Sequence, residues 1–174
     1  MEWVSEMRRM AAAKELVREN DVENLWRYEM PRSPASQDRL QEVSLALGHG
    51  LDSEYASFLL QADGWPAIMQ DVDLFGTEEL MGPSMDMARE LVETLEPEGL
   101  ANSQLDRDAL LPIAASTTTI DFFVMPVVGG GQSAPVIWIA GAEVERYSSF
   151  TDFFRAMIEE NISEAGDLRS QNNH

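Results

Sequence analysis

Few residues of this chain have the types and spacing that chemistry demands. The most suggestive run is Gly129-Gly130-Gly131-Gln132. A phosphate cradle needs a strand before such a run, a helix N-terminus after it and usually a Lys-Ser or Lys-Thr pair. Here a strand-forming segment, Pro135 to Ile139, follows and no lysine is near, so the run reads as a mobile connection between strands. Side chains this small can also enter a narrow cleft closed to bulkier loops. Gly129, Gly130, Gly131, Gln132 and Ser133 are therefore candidates for contact with a partner.

The remaining candidates are weaker. His49 lies between two glycines at a helix end, where a favourable dipole contact explains it, and His174 ends a polar tail. Nothing groups the two with carboxylates as a metal site would require. Glu78-Glu79 falls at a helix start, where acids suit the dipole, and Glu159-Glu160 reads as a solvated helix face. No nucleophile is paired with a base, so the expectation is no enzyme, no cofactor and no metal. Trp65 sits on a turn beside Pro66, where core packing and a role as partner anchor are equally open.

These residues belong to a chain of 174 residues with 44% hydrophobic content, enough for one globular domain. It has no cysteine, which excludes disulfides and thiolate chemistry. No run of about 18 apolar residues suggests a membrane span, and the charged N-terminus lacks a signal-peptide core. A cytoplasmic protein without membrane contact is the expectation. The net charge of −19 is uneven: residues 1–40 hold 7 basic and 8 acidic side chains, residues 41–174 hold 5 and 23. Such a body repels nucleic acid and attracts basic partners, besides keeping the chain soluble.

The elements that position the candidates follow from periodicity. Residues 2–28 read as one helix, or two with a break near Asn20-Asp21, with Trp3, Met7, Met10 and Val17 on one side and Lys14 interrupting the stripe. Pro31-Arg32-Ser33-Pro34 is a compact linker. Ser36 caps a helix carrying Leu40, Val43, Leu45 and Leu47 inward, ended by Gly48-His49-Gly50. Asp52 caps a short helix with Tyr55, Phe58, Leu59 and Ala62 on one face, stopped by Asp63-Gly64-Trp65-Pro66. Val72 and Leu74 are buried positions of a strand. A helical segment from Ser84 to Gly99 places Met87, Leu91, Val92 and Leu95 inward, and residues 100–108 read as loop. Ile120 to Val124 and Pro135 to Ile139 are strands, and Val144 with Tyr147 marks a last extended piece. Ser149 starts a final helix with Phe150, Phe153, Phe154, Met157 and Ile158 inside, followed after Ser163 by a frayed polar tail. Helices, then mostly antiparallel strands, then a closing helix make an α+β layer fold.

Three stretches resemble the SUKH superfamily, which contains yeast cell-wall-assembly regulators and many bacterial immunity proteins. They are the helix and turn LDSEYASFLLQADGW, the strand and helix start DVDLFGTEEL, and the terminal helix SFTDFFRAMI. Together they span roughly residues 36–160. Asp52 stands where the family usually has Pro, and the strand region lacks the common Gly-Asp pair. The resemblance implies a mostly antiparallel sheet packed by helices over residues 31–163, with residues 1–30 as an added N-terminal helical segment and 164–174 as the tail. It also implies a binding protein: one that neutralises a cognate protein toxin in a 1:1 complex by occluding its active site. The arginine bias, with Lys14 the only lysine, and the Gly-rich loop are compatible with immunity factors of NAD glycohydrolase toxins. A nuclease toxin, or a regulatory module binding a non-toxin protein, stays open as the alternative.

Overall fold

A computed structural model describes residues 2–129 and 133–173. In chain order these form α1 (Trp3–Asn20), α2 (Gln37–Leu47), α3 (Ser53–Leu59), β1 (Trp65–Met69), β2 (Val72–Leu74) and α4 (Thr77–Leu80). There follow α5 (Pro83–Glu93), α6 (Pro97–Asn102), a 3-10 turn (Arg107–Ala109), β3 (Leu110–Ser116), β4 (Phe122–Pro126), β5 (Val136–Ala140), β6 (Ala142–Tyr147) and α7 (Phe150–Asn172). The strands pair in sequence order as one antiparallel meander, β1 through β6. The chain is an α+β protein.

Both faces of the sheet are covered, because neighbouring residues of a strand point to opposite sides. On β4, Phe123 and Met125 join the main core with α1, α3 and α7, while Phe122 and Val124 pack under α5 and α6. Tyr55, Phe58, Phe150, Phe153 and Phe154 are completely buried in the main core. Each such ring contributes about 1.5–3 kcal/mol relative to an exposed one.

The two ends of the stretch from Asp63 to Glu79 meet in a knot of turns that fixes α3 against the sheet. Gly64 has φ +85°, and a Cβ there would lie 2.6 Å from Gly76 N, so only glycine fits the approach of the two turns. The Asp63 carboxylate accepts from Thr77 N and Thr77 Oγ1, both at 2.6 Å. Gly76 N donates to Glu79 Oε2 at 2.9 Å, and Arg32 pairs with Glu79. Burial pushes the Glu79 carboxyl up, but the Arg32 guanidinium and the Gly76 N–H outweigh it and hold it below its ordinary value. Tyr55 donates to Phe75 O at 2.6 Å, and its burial raises the phenol pKa well above normal.

Several expectations are corrected. The stretch 21–28 is a turn rather than a second helix, because Asp21 accepts from Leu25 N, Trp26 N and Tyr28 Oη. The helix expected from Ser84 to Gly99 is two, α5 and α6, with Pro97 opening the second. Met87 and Leu45 are 69% and 77% exposed; Met85 and Ala88 join the expected Val92 on the buried face of α5. The tail after Ser163 continues α7, since Ala165 and Leu168 extend its apolar stripe onto Val17. Residues 65–69 form an edge strand that the Trp-Pro pair disguises, an edge being where a sheet tolerates Pro66.

Candidate partner-binding surface

The Gly-rich connection leaves β4 beside a groove of about 360 Å3. One wall is the α2–α3 connection from His49 to Ser53, and the other runs from Met125 to Gly129, with Leu111 between them. Gly48, at φ +78°, ends α2 and turns the chain into that wall. His49 and Val127 also line an adjoining groove of about 270 Å3 that holds Arg89 and Arg107 beside Glu93 and Asp108. Among the described residues Arg89 and Arg107 make no ion pair. Arg107 Nη2 donates to Leu95 O.

Asp52 ties this surface together. Its Oδ1 accepts from Glu54 N at 2.9 Å and Tyr55 N at 3.1 Å, capping α3. Its Oδ2 accepts from Ala134 N at 3.1 Å. Ala134 is buried, whereas Ser133 and Gly129 are exposed. The exit of the Gly-rich connection is thereby pinned to the N-terminus of α3. Glu54 acts likewise on α7, accepting from Thr151 N at 2.9 Å.

Of the expected contact residues, Gly129 lines the groove, Ser133 is exposed and precedes the tethered Ala134, and Gly130, Gly131 and Gln132 lie outside the described residues. Trp65 does not belong to it. The indole is 1% exposed, donates from Nε1 to Glu29 O at 3.0 Å and packs near Phe154, because residues 26–32 and α7 close over the edge of β1. Core packing decides that residue, and it is no partner anchor. His49 lies in the groove wall with Nδ1 2.9 Å from Gly50 O, while His174 lies outside the described residues. Among the described residues there is no group of three or more metal-binding side chains, and no helix is long and apolar enough to cross a membrane.

Residues 34–156 match the family model of the SMI1 / KNR4 family (SUKH-1). The chain belongs to the SUKH-1 family. The matched region starts inside the Pro31–Pro34 segment and ends within α7, so it contains the knot, the sheet and both walls of the groove. It omits residues 2–33, which include α1, and α7 from Met157 onward, and α1 packs on that part of α7 through Val17, Ala165 and Leu168. The two ends of the chain outside the match thus pack together. They are also rooted in the core: Trp3 makes edge contacts with Phe58 and Phe154, both at 5.4 Å between ring centroids. No curated protein matches the chain.

Proposed function

We propose that this protein is an immunity protein that binds a cognate secreted toxin in the cytoplasm, in a 1:1 complex, and occludes its active site. SUKH proteins include immunity proteins, which gives the class. The observation that supports the site is the tether from Asp52 to Ala134, which fixes the residue after Ser133, together with Gly129 in the lining of the groove. A connection anchored at its base loses less freedom on binding, so more of its contact energy appears as affinity. Gly129 to Ser133 enters the toxin's cleft, and the His49–Ser53 wall packs against the cleft rim.

The net charge of −19 favours a toxin with a basic surface and speeds its capture. An NAD glycohydrolase meets that description, since its cleft must receive a dinucleotide's phosphates; a nuclease is the second choice on the same ground. Co-expression is the direct test of the class. Cells carrying the toxin encoded beside this gene should survive when the protein is present and die when Gly129–Gln132 is deleted from it. Survival that needs no copy of the protein, or death despite a folded wild-type copy, would remove the immunity reading.

A further inference from the structure

α5 leaves a second groove on its other side. The Ser116–Thr119 turn between β3 and β4 forms the opposite wall, and the space is about 520 Å3. Phe75 and Ala88 are 2% and 1% exposed and line it together with Leu91 and Ala115, while Met87 stands out at the rim. β3 is seven residues long, so this end of the strand lies about 20 Å from the end that borders the candidate surface.

The charged residues that line this groove have one sign. Its lining includes Asp73 and Glu90 and no basic residue. Asp73 is occupied, accepting from Arg27 and from Ala67 N. The Glu90 carboxylate has no partner among the described residues. The Thr118 and Thr119 hydroxyls of the turn donate to the Asp71 and Asp121 carboxylates, which add negative charge beside the groove. An apolar trough with one free carboxylate on its wall matches a side chain that has an aliphatic stem and a cationic head. An acidic segment would be repelled, and a second copy of a chain carrying −19 is an unfavourable occupant.

We propose that the groove between α5 and the Ser116–Thr119 turn is a docking site for an extended, arginine-bearing segment of a protein partner. Met87, Leu91 and Ala115 receive the aliphatic stem, and Glu90 receives the guanidinium. This surface is separate from the proposed toxin contact, so one chain has room for both engagements.

The test is an amide-resolved NMR titration of the full chain with acetyl-Leu-Arg-Leu-amide, with acetyl-Leu-Glu-Leu-amide as control. The arginine peptide should give saturable shifts confined to residues 84–94 and 115–119, and the glutamate peptide none. Glu90→Gln, at an exposed helix position, should weaken the arginine peptide about threefold or more while leaving the remaining spectrum unchanged. Met87→Ala should weaken it as well. Deletion of Gly129–Gln132 should leave this titration unaltered, so the toxin reading and this one fail separately. Absent shifts, shifts scattered over the acidic surface, or unchanged affinity in Glu90→Gln would overturn the proposal.

Discussion

Lys14 should make the stability of the fold climb in a pH range where folded carboxylates are silent. The side chain is 8% exposed, and its ammonium donates to the Ala67 carbonyl. Burial first, then the nearby Arg27, lower its pKa from 10.5 to about 8, with Glu29 acting in the opposite sense. Below pH 8 the group is charged in both folded and unfolded chains, and its lost hydration is a standing cost of folding. Between pH 8 and 10.5 the unfolded chain keeps the proton and the native chain has released it, so this group adds stability as pH rises. At about 1.4 kcal/mol per pH unit, the gain reaches about 3 kcal/mol at the upper end.

Lys14→Met isolates that contribution. Near neutral pH the substitution removes the burial cost but leaves the Ala67 carbonyl unpaired, a loss of about 1–3 kcal/mol, so the two proteins should be close in stability. Tyrosines and the other groups titrate alike in both proteins and cancel in the difference. Urea denaturation of wild type and Lys14→Met at several pH values gives the curve directly. The difference should move by about 3 kcal/mol in favour of wild type between pH 8 and 10.5. A flat difference across that range would refute the burial argument for Lys14.

Three further outcomes follow from the same geometry. Asp52→Ala should cost about 1–2 kcal/mol in urea denaturation through the lost α3 cap, whereas Asp52→Ser should recover the cap but not the reach to Ala134. Both variants should then bind the toxin more weakly, and recovered affinity in the serine variant would dismiss the tether. Gly64→Ala should destabilise by about 2–4 kcal/mol, because its Cβ would meet Gly76 N at 2.6 Å; Gly48→Ala, with nothing within 4 Å, should cost only about 1 kcal/mol. Stopped-flow association with the toxin should slow as salt rises, and a salt-independent on-rate would contradict electrostatic capture.

The parts legible in the sequence are those specified locally. Ser36, Asp52 and Ser149 cap their helices as their positions suggest, and Gly48 ends α2 in the left-handed conformation. Phe122 to Pro126 and Val136 to Ala140 carry a strand composition that survives into the sheet. The first two of the three SUKH signature stretches turn out to be the two sides of one knot, Asp63-Gly64 against Gly76-Thr77. What escaped depends on distant partners. Met87 and Met85 satisfy the helical period in neighbouring phases, and only the packing of α5 on the main core selects Met85. The last turns of α7 look polar until Val17 and Trp26 are placed against Ala165 and Leu168. The tether is the clearest case: Asp52 announces a helix cap, but nothing near it announces Ala134, 82 residues away.

Titration calorimetry of the toxin domain that the proposed function expects beside this gene, against wild type and the Gly129–Gln132 deletion, tests toxin capture by the tethered loop most directly. The expected result is a 1:1 complex for wild type and greatly weakened binding for the deletion, with the thermal midpoint of the free protein little changed. Equal affinity for both proteins would take the loop out of the interface, and no heat of binding with wild type would contradict toxin capture itself.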